Sequence, residues 1–410
     1  MTDSTLRAGL DRLHEAMAAR VAKGELPGLV TLVARGDETH VDAIGTTTFG
    51  GDEPMRRDTI FRVASMTKPV LATAVMTLVE EGRLALDEPV DRLLPELADR
   101  RVLRRIDGPL DDTVPAVRPI TVEDLLTFRL GYGVLIEPPA APADPTADPL
   151  FPAVDPPYPV VEAAKELRLV TADPDPRTPH DPDEWIRLFG TLPLMHQPGE
   201  TWQYNVGSLV LGVLVARASG LPLEDFLRNR LFEPLGMMET GFSMPAEHLH
   251  RLPEHYMTDP RTGRMEPQTL TAREEWTRPP AFPSGAAGLL STVDDYLAFA
   301  RLLLAKGVHG GERLLSERSV ELMTTNHLTP RQTADGGFVL GGRGWGYGVA
   351  VATEPDEVSS VPGRYGWDGG YGTVWFNHPG RDLVVIAMTQ VSDFLFNGSV
   401  ADLGTLEPGS

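Results

Sequence analysis

Apolar residues at Leu6, Leu10, Leu13, Met17 and Val21 recur every three to four positions, so the pattern predicts an amphipathic helix over residues 4–23, ended by Gly24. The period then changes. Gly28-Leu29-Val30-Thr31-Leu32-Val33-Ala34 is a β-branched apolar run, and past the polar turn at 35–38 a second run, 40–44, completes a predicted strand pair. Val70 to Val79 is apolar on nearly every side until Glu80-Glu81-Gly82 closes it, as expected of a fully buried helix whose start points out of the core. Further helices are predicted at Leu84–Leu97, at Thr121–Phe128 behind a capping signal, at Trp202–Arg230 with a break at 220–223, and at Asp294–Leu304. The last 70 residues turn β, with strand-like runs at Gly341–Ala352, Val374–Phe376 and Leu383–Gln390. Between Val134 and Asp183 lie 13 of the 37 prolines, which excludes regular structure over most of that stretch. Its apolar anchors Tyr158, Val160, Val161, Leu167 and Trp185 favour an ordered loop or lid over a linker.

Composition narrows the function. The chain has 410 residues and 41% hydrophobic content, enough for an enzyme-sized core, and its net charge of -21 argues against a nucleic-acid partner. There is no cysteine, so disulfides, thiolate nucleophiles and cysteine metal sites are excluded. The N-terminus lacks an apolar signal region and the longest apolar runs, 69–79 and 205–216, fall short of the roughly 18 residues a membrane span needs, so a cytoplasmic, membrane-free protein is expected. No G-x-S-x-G, phosphate-loop, H-E-x-x-H or G-x-G-x-x-G motif occurs. His248, His250 and His255 cluster beside a Pro-Glu turn, and a solvated loop is the better reading than a metal site.

The strongest chemical signal is Ser65-Met66-Thr67-Lys68 at the start of the buried helix, where hydroxyl and amine share one face. A serine becomes nucleophilic when a neighbour accepts its proton, and a lysine does so when burial lowers its pKa. With 14 serines and only four lysines, a chance S-x-x-K arises about once in seven such chains. On spacing alone, a capping serine beside a snorkelling lysine stands level with a catalytic pair. Pro69 disfavours helical geometry at Lys68.

The neighbouring residues add a resemblance. Phe61 to Val70, Leu86-Asp87-Glu88-Pro89-Val90, Ile120 to Thr127, Gln197 to Asn205 and Gly285 to Tyr296 together resemble the serine β-lactamase and penicillin-binding-protein superfamily, in its class C-like branch, over residues 5 to 390. The resemblance implies an α/β (α+β) fold, β-lactamase/transpeptidase-like, with an antiparallel sheet flanked by helices plus a mostly helical lobe. The α/β lobe is expected at about 1–75 and 276–410 and the helical lobe at 76–275, including the Pro-rich insertion 134–183, all within a single catalytic domain. It also implies that Tyr204 is the second-motif tyrosine, with valine at 206 where many relatives carry asparagine, a form similar to family VIII carboxylesterases. A phenol beside the lysine ammonium is expected to titrate toward phenolate and shuttle the proton.

The third element, Lys-Thr-Gly in many β-lactamases, here reads Trp367-Asp368-Gly369-Gly370. The anchoring cation for a substrate carboxylate is missing from it, and Asp368 would repel one. By the same resemblance the backbone N–H groups of Ser65 and Gly370 form the oxyanion hole, and no metal or organic cofactor is required. Trp367, Asp368, Gly369, Tyr132 and Trp202 are expected to contact substrate. The expectation is a serine hydrolase with catalytic Ser65, Lys68 and Tyr204, acting as a carboxylesterase on small neutral esters. A β-lactamase, D-amino-acid peptidase, amide hydrolase or acyltransferase on the same scaffold is the first alternative. A catalytically silent acyl-binding scaffold is the second. The oligomeric state is left open.

Overall fold

The structure, a computed structural model, describes residues 3–135, 158–171, 177–259, 262–268 and 271–406. Residues 136–157 and 172–176, the greater part of the expected lid, lie outside the described residues.

Helix α1 (Asp3–Ala22) opens the chain and lays Leu6, Leu13 and Met17 on the sheet. Strands β1 (Gly28–Arg35) and β2 (Glu38–Gly45) form the predicted hairpin. The other five strands come from the end of the chain: β3 (Gly344–Trp345), β4 (Ala350–Val351), β5 (Tyr365–Gly369), β6 (Thr373–His378) and β7 (Leu383–Thr389). Their order is β3-β4-β5-β6-β7-β1-β2, antiparallel throughout, so β1 joins the two chain ends by pairing Leu29–Arg35 with Thr389–Leu383. An antiparallel sheet usually keeps one wet face. Here both central faces are covered. Leu29, Val33, Val374, Phe376 and Val385 meet α1 and the C-terminal segment, while Val30, Leu32, Trp375, Val384 and Ile386 face the main core. That double burial explains why β1 and β7 read as unbroken apolar runs.

Behind the sheet runs α2 (Thr67–Glu80), in which every residue from Thr67 to Leu78 is buried. It crosses α3 (Val206–Ser219), which is nearly as buried. A Cβ at Gly285 would meet Leu71 Cδ2 at 2.5 Å and Ser208 O at 2.8 Å, so the loop between the two helices can pass only with a glycine there. Helix α4 (Val293–Leu304), capped by Thr292, closes this layer. Among the described residues no single helix is long and apolar enough to cross a membrane; α3 with Leu223–Leu235 has the length, but the pair bends by 76°.

Two sequence expectations change. Leu84–Leu97 is not a helix but a loop with single turns at Val90–Arg92 and Pro95–Leu97. Pro89 and Pro95 cannot donate backbone hydrogen bonds and force the preceding residues out of helical geometry; Leu94 sits at φ -123°, ψ 68°. Conversely, Lys68 is helical despite Pro69, because the third residue of a helix has no intrahelical acceptor for its N–H. The anchors of the proline-rich stretch hold where described: Val160 and Trp185 are core residues, and Trp185 Nε1 donates to Leu169 O at 2.8 Å.

Candidate active site

Ser65 occupies the middle of a 3₁₀ turn, Ala64–Met66, that runs directly into α2. Ala64 is held at φ +42°, a left-handed conformation strained for a residue with a Cβ, and is buried with Ala287 and Tyr371. The bend leaves Ser65 half-buried at a cavity wall while Thr67 and Lys68 are buried behind it. Two contacts fix the turn. Tyr296 Oη donates to Met66 O at 2.9 Å, and Leu289 N donates to Thr67 Oγ1 at 3.1 Å.

Lys68 Nζ lies 2.8 Å from Ser65 Oγ and donates to Ala286 O at 2.7 Å, with the Tyr204 ring centroid 4.6 Å away. No carboxylate pairs with it among these contacts, and burial pushes its pKa well below the ordinary lysine value. A neutral amine held by Ala286 O can turn its lone pair to the serine proton. The caps-and-snorkel reading of Ser65 and Lys68 therefore fails on geometry: Lys68 is 1% exposed, with its head group inside.

Tyr204 stands just before α3, positioned by Val134 N donating to its carbonyl at 3.0 Å. The next residue, Asn205, takes φ +83° and donates from Nδ2 to Thr171 O at 2.7 Å, turning the chain into the helix. Tyr204 Oη receives a hydrogen bond from Trp367 Nε1 at 3.0 Å and lines the same cavity as the Ser65 hydroxyl, and both groups favour its anion. Burial raises the phenol above its ordinary pKa and outweighs these two donors. The expected drift toward phenolate is thus reversed, because complete burial penalises the anion more than the neighbouring polar groups favour it. The resting pair is an amine biased toward neutrality and a neutral phenol.

Strand β5 brings the third element alongside. A Cβ at Gly369 would meet Val63 O at 2.3 Å and Thr373 Oγ1 at 2.2 Å, so glycine lets this strand lie against the backbone leading to Ser65. Gly370 lines the same cavity as Ser65, Tyr204, Trp367 and Asp368, a space of about 580 Å³. A cation from elsewhere in the chain pairs with Asp368. Arg343, just ahead of β3, stacks over Trp367 at 5.2 Å and lies 3.4 Å from Asp368 Oδ2. Arg364 and Asp356 form a second ion pair in the wall. Asp368 is therefore partly neutralised, a correction to the reading of the motif by itself.

Two expected substrate contacts lie elsewhere. Tyr132 is 1% exposed, packed on Phe189 at 5.2 Å and donating to Val160 O at 3.3 Å, away from the cavity wall. Trp202 is behind Tyr204, stacked at 5.9 Å in a cluster with Phe128, Trp345 and Trp367 that braces the phenol. The three histidines separate as well. His250 is exposed and bonds Glu247 O at 2.8 Å, whereas His255 is buried, 2.8 Å from Ser392 Oγ and edge-on to Tyr371 at 4.4 Å. Burial, aided by Arg62, pushes His255 down to about 3, so it is a neutral prop behind the Gly370-Tyr371 turn rather than part of a solvated loop. Among the described residues no group of three His, Asp or Glu side chains could hold a metal ion.

The family profile described as Beta-lactamase matches residues 13–404. The chain belongs to the beta-lactamase family. Within it, the chain is 37% identical to Protein Rv1367c of Mycobacterium tuberculosis over 94% of this chain and 93% of that one. It is 31% identical to Esterase EstB of Burkholderia gladioli over 93% and 90% of the two chains. Among solved structures it resembles EstCE1, described as a hydrolase with promiscuous acyltransferase activity, with a TM-score of 0.76, 23% identity and 98% of each chain covered. The fold is β-lactamase/transpeptidase-like, a large antiparallel sheet with helices, as the sequence implied.

Proposed function

We propose that the chain is a serine hydrolase acting as a carboxylesterase on small uncharged esters, through an acyl-enzyme on Ser65. The observation that carries this reading is the 2.8 Å contact between Ser65 Oγ and a lysine amine whose burial lowers its pKa. Neutral Lys68 takes the hydroxyl proton as Oγ adds to the ester carbon. The resulting oxyanion sits against the backbone N–H groups of Ser65 and Gly370, each contributing about 10²–10³ in rate. Collapse breaks the bond to the alcohol oxygen, which takes its proton from Tyr204 Oη; the Lys68 ammonium then reprotonates the phenol. Water attacks the acyl-enzyme by the same relay in reverse and releases the acid. The whole chain acts as one catalytic domain, its sheet-bearing lobe (about 1–75 and 276–410) and helical lobe (76–275) meeting at the cavity, and it works in the cytoplasm. The esterase name of a 31% identical relative supports the substrate class.

Neutral esters suit a cavity in which, among the described residues, the two lining arginines are both paired with aspartates and no free cation faces a β-lactam carboxylate. Acyl transfer is the second reading, favoured by EstCE1's description: an alcohol replacing water in the second step gives a new ester. The test is ester turnover beside nitrocefin turnover in the wild type and Ser65→Ala. Ester hydrolysis lost in the variant and much faster than nitrocefin hydrolysis is the expected result. Retained ester hydrolysis by Ser65→Ala would overturn the proposal, and no labelling of the wild type by a fluorophosphonate would return the silent scaffold.

A further inference from the structure

The cavity that holds Ser65 is lined by two unlike kinds of residue. Its lining combines the paired Arg343–Asp368 and Arg364–Asp356 with the apolar Phe338, Val339, Leu395, Phe396 and Val400. Among the described residues most large apolar side chains are buried, yet Phe338 is 55% exposed and Phe396 44%. They stack on each other with centroids 5.7 Å apart and planes 25° apart, although 58 positions separate them. Mutual stacking covers one face of each ring and leaves the rest in water at the edge of the cavity, an unfavourable exposure that a bound apolar group would relieve. Phe396 is not on a loose tail. The segment that carries it is fixed to α1, where Arg20 Nε bonds Asp402 Oδ2 at 2.7 Å and Arg12 donates to Thr405 O at 2.7 Å, and Leu403 and Leu406 are buried beneath. Phe338 sits on a single turn, Gly337–Leu340, whose Leu340 is buried in the aromatic cluster around Tyr204.

Resting on the esterase reading, we propose that Phe338 and Phe396 are specificity-determining residues: their rings form an outer subsite that takes a flat, uncharged aromatic group of the ester substrate. An aromatic group packs on such rings edge-on or offset with a gain beyond area burial that an alkyl group of the same position lacks. Among the described residues of the lining, the acidic side chains Asp356, Glu357 and Asp368 outnumber Arg343 and Arg364, so the aromatic group is one without a carboxylate.

The test compares the wild type with Phe338→Ala, Phe396→Ala and the double variant on paired esters: benzyl acetate against ethyl acetate, and methyl phenylacetate against methyl acetate. Both rings are exposed, so the variants keep the fold, checked by Tm. The expected result is a fall of about tenfold in kcat/KM, carried by KM, for at least one aromatic ester, with its alkyl partner changed less than twofold. Equal losses on aromatic and alkyl esters, or no loss, overturn the subsite. Binding of benzyl acetate and methyl phenylacetate to Ser65→Ala, with and without the ring deletions, is read by calorimetry and needs no turnover. Ring-dependent binding supports the subsite even if hydrolysis is absent; ring-independent binding, or none, overturns it. Failure of the esterase reading is distinguished by activity that survives Ser65→Ala.

Discussion

Trp367→Phe isolates the chemistry of the phenol. The substitution keeps an aromatic ring beside Arg343 and removes one donor, the indole N–H 3.0 Å from Tyr204 Oη. That donor lowers the Tyr204 pKa, so its loss raises the pKa further and leaves any negative charge that develops on Oη with one fewer partner. A hydrogen bond to a charged group contributes about 1.5–3 kcal/mol against about 0.5–1.5 for a neutral one. If Tyr204 gives up its proton to the departing alkoxide, only the difference of about 1–1.5 kcal/mol between the two bonds acts on the barrier, and the variant loses about 5- to 13-fold in kcat/KM on ethyl or benzyl esters. A p-nitrophenolate leaving group needs no proton, so p-nitrophenyl acetate should lose no more than about threefold, a loss of the order of one weak neutral hydrogen bond. The assay is kcat/KM, which reports the acylation step alone, for both ester classes in wild type and variant, with Tm to confirm folding. Losses that do not depend on the leaving group would refute proton donation by Tyr204.

Other consequences are as direct. Burial lowers the Lys68 pKa in the folded chain, so folding stability rises with pH through the window from that lowered value to about 10.4, where unfolded lysine also becomes neutral. Lys68→Met should therefore abolish ester turnover while its Tm gain over wild type is largest at low pH and shrinks as pH rises; a pH-independent difference would contradict the buried, unpaired amine. Asp368→Asn should raise kcat/KM about fivefold for an ester bearing a carboxylate, from about 1 kcal/mol of relieved repulsion, with the effect fading in high salt and methyl acetate unaffected. No change with the anionic ester would mean that Arg343 already cancels the charge. Gly369→Ala places a Cβ 2.3 Å from Val63 O and should lower stability by about 1–3 kcal/mol in urea unfolding, along with kcat; wild-type values for both would refute the close approach.

What the sequence made legible were features carried by short spacings. Ser65 and Lys68 meet because i and i+3 share a helix face, and β1 and β7 announce themselves because both their faces are buried. The features that escaped are made by distant residues. Trp367 reaches Tyr204 across 163 positions, and Arg343 pairs with Asp368 across 25. Nothing local to either residue signals the contact. Tyr132 and Trp202 are aromatic residues near the motifs in sequence, and nothing local separates a cavity-lining ring from a packed one: Tyr132 packs on Phe189 and Trp202 braces Tyr204 from behind. The Leu84–Leu97 pattern has helical spacing, yet two prolines overrule it; they were the available warning. His255 lay beside two histidines in sequence, and only the packing of Ser392 and Tyr371 against it separates it from them.

The central claim, that Ser65 carries the acyl group, is tested most directly by rapid quenching of the wild-type chain with excess p-nitrophenyl acetate, followed by peptide mass spectrometry. The account predicts one acetyl group, on the peptide containing Ser65 and on the serine itself, absent from Ser65→Ala. Acetylation at another residue with turnover intact, or turnover with Ser65 never modified under conditions that trap the intermediate, would contradict it.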